Sequence, residues 1–141
     1  MIEYSIIYRI APVYNGGGLM GLKRESSGFL IKQRAFLKLY LVTRIEKEPW
    51  YGLQLLDELK SSFKPYGFVP QHSEVYRALH DLTEAGILKR RKITEEGSKY
   101  KEVAVYSIAD KDGAKAYKKL VKADLDRCEQ LLRKAIKDNF S

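Results

Sequence analysis

Between Pro70 and Gly86 apolar residues recur at steps of three and four, so that Val75, Ala78, Leu79 and Leu82 fall on one side of a 3.6-residue helix. Ser73, Arg77, His80 and Glu84 fall on the other side. One face packs, and the other is free to touch something. Upstream, FLIKQRAFLKLYLVTR from Phe29 to about Arg44 is apolar around most of its circumference, which suits a helix covered on several sides. LQLLDELKSSF brings Leu55, Leu56, Leu59 and Phe63 to one face and predicts another helix. Glu46 to Tyr51, with Pro49, reads as a connector with a few extended residues at Trp50 and Tyr51. Lys64 to Gln71 holds Pro65, Gly67 and Pro70 and reads as a loop.

After Gly86 the period changes from 3.6 to 2. Ile87 to Thr94 and Lys99 to Ile108 predict two strands joined by the turn Glu95-Glu96-Gly97-Ser98. Val103 and Val105 share one face; Ala104, Tyr106 and Ile108 share the other. From Asp110 or Asp112 to Asn139 the pattern is one long helix with an acidic N-cap. Ala114, Tyr117, Val121, Leu125, Cys128, Leu132 and Ala135 form a coiled-coil-like seam along it. Two things could cover that seam: the helix's own domain, or a second copy of the chain. At ~1.5 Å per residue the helix outruns a small three-helix domain, which favours a dimer. Tyr117, Val121, Leu125, Cys128 and Leu132 are then the dimerisation residues.

Residues 1–27 stand apart from this pattern. Tyr4, Ile6, Ile7 and Tyr8 suit a short strand, but Gly16, Gly17, Gly18 and Gly21 interrupt any regular element beyond it. Consecutive glycines just before Met20 are what a purine-rich ribosome-binding site would encode if translated. The expectation is a native start at Met20, with residues 1–19 an upstream reading-frame extension. N-terminal sequencing of protein made from the native gene tests this, and a start at Met1 would sink it. The organisation expected is an extension over 1–27, a DNA-binding domain over 28–109 and a dimerisation helix over 110–141.

The formal charge of +8 and pI near 9.5 favour an anionic partner, either nucleic acid or an acidic membrane surface. Apolar runs fall far short of the ~20 residues that cross a bilayer, so no membrane partner is expected. Cys128 is the only cysteine, which excludes an internal disulfide and suits a reducing, cytoplasmic setting. It reads as a buried structural thiol, since no histidine lies near it in sequence. There is no HExxH, GxGxxG, Walker glycine loop or Cys/His cluster. His72 and His80 lie eight residues apart with no third ligand in view. Neither an enzyme, a cofactor nor a metal site is expected.

The free face of the Pro70–Gly86 helix is not a dense basic stripe, because Glu74, Asp81 and Glu84 sit among Arg77 and the histidines. His72, Ser73 and Arg77 in its first turns suit contact with base edges, with phosphates held from the flanks. A solvated surface helix is the plainer alternative. Lys32, Arg34 and Lys38 lie toward the start of the first helix, where cations oppose the helix dipole; phosphate contact and solubility are the two reasons weighed. The first predicted strand carries Lys89, Arg90, Arg91 and Lys92, and the second carries Lys99 and Lys101. Such a basic hairpin is placed to grip the DNA backbone or the neighbouring groove.

Two helices, a recognition helix, a two-stranded wing and a long helix make an α+β winged helix with a C-terminal dimerisation helix. GFLIKQRAFLKLY, YGLQLL, EVYRALHDL, GILK, LDRC and the terminal KDNF resemble the replication terminator protein family of Bacillus-type bacteria, from about Ser26 to Phe140. The resemblance implies a homodimer, paired as an antiparallel coiled-coil-like dimer through its long helices. It implies double-stranded terminator DNA with inverted-repeat half-sites, cooperative contact between two dimers, and polar arrest of forks by blocking the replicative helicase near the nucleoid. By the same resemblance Lys32 and Arg34 belong to a DNA-contacting arm, and His72, Ser73 and Arg77 to the recognition helix. Lys89, Lys92 and Lys99 match cations of the wing, and Glu48 and Tyr51 match the helicase-facing surface.

The chain departs from the family in its wing, where Thr94 and Glu95 replace lysines near the tip and Arg90 and Arg91 are extra cations. The basic block has moved along the strand. YGLQLLDEL and EVYRALHDLTEAGIL also share the rhythm of PadR-like winged-helix transcriptional repressors. Ligand response or control of an adjacent promoter separates that alternative. A winged helix used only for protein contact would leave the basic wing without a role.

Overall fold

The computed structural model describes residues 28–94 and 102–141. The expected strand near Tyr4, the start at Met20, the turn after Thr94, and Lys99 and Lys101 lie outside them. Helix α1 spans Gln33–Lys47, β1 is Trp50–Tyr51, and α2 is Gly52–Phe63. A short 3-10 turn, Lys64–Tyr66, leads through Gly67 to α3, His72–Glu84. Strands β2, Leu88–Thr94, and β3, Glu102–Ile108, precede the thirty-residue α4, Lys111–Phe140.

Each boundary has a local cause. The first turn of α1 has no side-chain cap and no acid, so its stability comes from burying Leu37, Leu41, Val42 and Ile45. Removing each such side chain from water contributes about 1.5–3 kcal/mol. Helix α3 ends because Gly86 takes φ +81°, a left-handed conformation costly for other residues. The Ile87 amide then donates to the Leu82 carbonyl at 3.0 Å, closing the helix and launching β2. Helix α4 begins where the Asp110 carboxylate accepts from the Gly113 amide at 2.9 Å.

The sheet is antiparallel, in the order β1-β3-β2. Tyr106 pairs with both Trp50 and Arg90, while Val105 pairs with both Tyr51 and Arg91. Helices α1, α2 and α3 pack against the sheet on the side of buried Leu88 and Tyr106. Val75, Ala78, Leu79 and Leu82, the apolar face expected of α3, are all fully buried.

Helix α4 is used in two ways. Its first half completes the core through Ala114, Tyr117 and Val121. Of the five residues expected at a dimer seam, Tyr117, Val121 and Cys128 are therefore buried within a single chain, and Leu125 is partly buried. The stripe is continuous in sequence while the domain beneath it is shorter than the helix, so within one chain its apolar cover ends beyond Cys128. Only Leu132 of that set is exposed; Ile136 and Phe140, further along, are more so.

Candidate nucleic-acid interface

His72, Ser73, Arg77, His80 and Glu84 of α3 are all exposed, opposite its buried stripe. The His72 ring lies against Tyr76, with centroids 4.6 Å apart. Tyr76 is itself held against the start of α2, where a Cβ added to Gly52 would meet its hydroxyl at 2.9 Å. Burial, then the nearby Tyr106 and Asp57, push the Tyr76 phenol above its ordinary value, so it stays neutral.

Two of the three acidic residues on α3 are turned inward. Arg34 donates from Nε and Nη2 to the Glu74 carboxylate at 3.4 and 3.3 Å, and its Nη1 lies 3.6 Å from Asp81. Lys38, 3% exposed, places Nζ 3.2 Å from the same Asp81. The cations early in α1 thus have a reason beyond phosphate contact and solubility: they tie α1 to the recognition helix. Arg34, about one-third exposed, makes this tie, while Lys32, at the N-cap of α1, is exposed. The arrangement also strips two negative charges from the outward face of α3. Glu84 stays outward, 3.8 Å from His80.

The strand pleat divides the basic block. Arg90 and Lys92 are cross-strand neighbours of Tyr106 and Ala104, on the face that meets the helices. Lys89 and Arg91 are neighbours of Ser107 and Val105, on the opposite face. All four are exposed. A run of four cations in sequence is two pairs aimed in opposite directions.

Glu48 and Tyr51 sit beside a cluster that sequence reasoning missed. The Arg44 guanidinium lies 3.7 Å above the Trp50 ring, and Trp50 Nε1 donates to Glu48 at 2.9 Å. Arg44 also approaches Glu58 at 2.8 Å and Glu48 at 3.7 Å. The signal available in sequence was the Pro49-Trp50-Tyr51 run, an aromatic pair held just after a fixed turn. Tyr51 is partly open, at 39% exposure.

Among the described residues no group of three or more His, Cys, Asp or Glu is placed to hold a metal ion. No described helix is long and apolar enough to cross a membrane. What remains is a polar helix face flanked by cations. Residues 28–140 match the replication terminator protein family as one block.

The chain belongs to the replication terminator protein family. The replication termination protein of Bacillus subtilis is 56% identical over 118 residues, covering 84% of this chain and 97% of that one. Two solved structures share the fold: Pex from Synechococcus sp., with a TM-score of 0.54 at 19% identity over 66% of this chain and 82% of that one, and Bacillus subtilis PadR in complex with operator DNA, with 0.51 at 20% over 61% and 46%. The replication terminator match spans α1 to α4 without division, so recognition helix, wing and long helix belong to a single family unit.

Proposed function

We propose that this chain is a sequence-specific double-stranded DNA-binding protein that occupies terminator sites and arrests replication forks arriving from one side, by blocking the replicative helicase. The observation that carries this reading is the family match over residues 28–140, which includes α3, the wing and α4 together. His72, Ser73 and Arg77 read base edges from the outward face of α3. Lys32, Arg90, Lys92 and Lys99 hold phosphates, each adding about −0.9 to the slope of log affinity against log salt. Two copies join through the distal half of α4, beginning at Leu132. Glu48 and Tyr51, presented beside the Arg44–Trp50 stack, meet the helicase.

The experiment is helicase progress through a terminator fragment placed in both orientations, beside a binding titration on the same DNA. Arrest in one orientation only is the expected result. Tight, specific binding with free passage in both orientations would overturn fork arrest and leave a PadR-like repressor as the reading.

A further inference from the structure

The two faces of the wing differ in more than direction. On the helix-facing side, Lys92 has a carboxylate across the strand pair, with Glu102 at 4.0 Å. On the opposite side, the cross-strand neighbours of Lys89 and Arg91 are Ser107 and Val105, and Tyr51 flanks Val105 from β1. The next pair outward is Ile93 with Val103. Among the described residues no paired carboxylate shares this face, and none forms an ion pair with Lys89 or Arg91 there. A cleft of about 400 Å³ opens at this point, lined by Pro49, Lys89, Arg90, Arg91, Val105 and Ser107.

We infer that this reverse face of the wing docks an extended acidic segment of a partner protein while the other face serves DNA. The inference rests on the proposed function only in seating a duplex on α3. Helix α3 packs on the Leu88 and Tyr106 side of the sheet, so a duplex on α3 shares that side with Arg90 and Lys92. Lys89 and Arg91 are turned from it by the pleat. Their spacing on one strand face is two residues, about 6.5–7 Å. An extended peptide with acids at every second position carries its carboxylates at that same period. Between the cations the surface is apolar, through Val105 and Pro49, with one hydroxyl from Ser107. The methylene stems of those acidic side chains can cover such a floor, whereas a sugar-phosphate backbone has nothing to bury there. Carboxylates arriving at Arg91 complete charge-assisted hydrogen bonds that no described residue of this face supplies.

The test is fluorescence anisotropy with the full chain at physiological salt. The probe is a labelled short peptide alternating Glu and Val, and the terminator duplex is titrated in parallel. R91E and K92E are matched variants: adjacent exposed residues, the same charge change, opposite faces, with Lys92 outside the cleft. R91E is expected to weaken peptide binding roughly tenfold or more while leaving duplex binding within about twofold, and K92E to leave the peptide nearly unaffected. Equal loss of peptide in both variants would reduce the effect to general charge attraction and overturn the inference. Loss of duplex binding in R91E would return this face to DNA, and absence of peptide binding by the unaltered chain would also overturn it. Fork arrest in one orientation is read separately, so failure of the proposed function is distinguishable from failure of this inference.

Discussion

Lys38 Nζ lies 3.2 Å from Asp81 Oδ2, joining α1 to the recognition helix at a point where the lysine is buried and the aspartate about one-third exposed. The two partners are therefore unequal. An ammonium held inside the protein loses more with an anion removed than a carboxylate does that keeps water and Arg34 as other partners. D81N is expected to cost about 2–3 kcal/mol in urea unfolding, and K38M less than about 1 kcal/mol, because methionine fills the site without leaving a buried charge. Equal losses would show that the pair acts as an ordinary surface bridge.

Arg77 is exposed near the middle of the outward face of α3, one turn after Ser73. If it reads a base, R77A loses about 1–3 kcal/mol of affinity for the specific site and discriminates less between sites. Binding titrations on specific and random duplexes separate the possibilities. A uniform loss on both, with a shallower salt dependence, would assign Arg77 to phosphate.

Trp50 holds two charged side chains in place, Arg44 by its ring face and Glu48 by its indole N–H. W50L removes both holds and some of the packing of a half-buried ring against the core, and is expected to cost about 1–2 kcal/mol of stability. Duplex affinity should be unchanged, and arrest in the blocking orientation should weaken if Glu48 must be presented in its observed position. Unchanged arrest would separate Glu48 from the helicase-facing surface.

The elements were legible in the sequence because their periods were clean. Val75, Ala78, Leu79 and Leu82 marked the buried face of α3, and Gly86 marked its end. The site was legible only in part, because charge in a sequence has no direction. Arg34 and Lys38 looked available for phosphate until α3 brought Glu74 and Asp81 against them, a contact between residues about forty apart. Lys89 to Lys92 read as one block, although alternation along β2 already implied two faces. The stripe on α4 showed no change where its cover changes from the domain to solvent, because apolar spacing is the same in both settings.

Burial raises the Asp124 carboxyl from 3.8 to about 6, with Arg127 pulling the other way. Its Oδ1 is buried without a hydrogen-bond partner. The folded pKa lies above the unfolded one, so the unfolded chain releases this proton first as pH rises. Stability from this group therefore falls between about pH 4 and pH 6, and the penalty is fully present above that window. D124N removes the titration and is expected to gain about 1–3 kcal/mol at pH 7, with little difference at pH 4. Urea midpoints across that range check the sign; a variant less stable at pH 7 would show that the charged form is favoured in the fold.

The two halves of α4 should respond differently to substitution. Val121 is buried in the single chain, so V121A is expected to cost about 1–2 kcal/mol of fold stability through the lost methyl groups and the space they leave. Ile136 is 61% exposed in the single chain, so I136E leaves that fold intact. If Leu132, Ile136 and Phe140 meet a second copy, the same variant places two carboxylates in an apolar contact and raises the dimer dissociation constant by roughly a hundredfold. Sedimentation equilibrium gives the dissociation constant, and circular dichroism reports the fold. A dimer that survives I136E but is lost with V121A would move the interface back to the buried half of the helix.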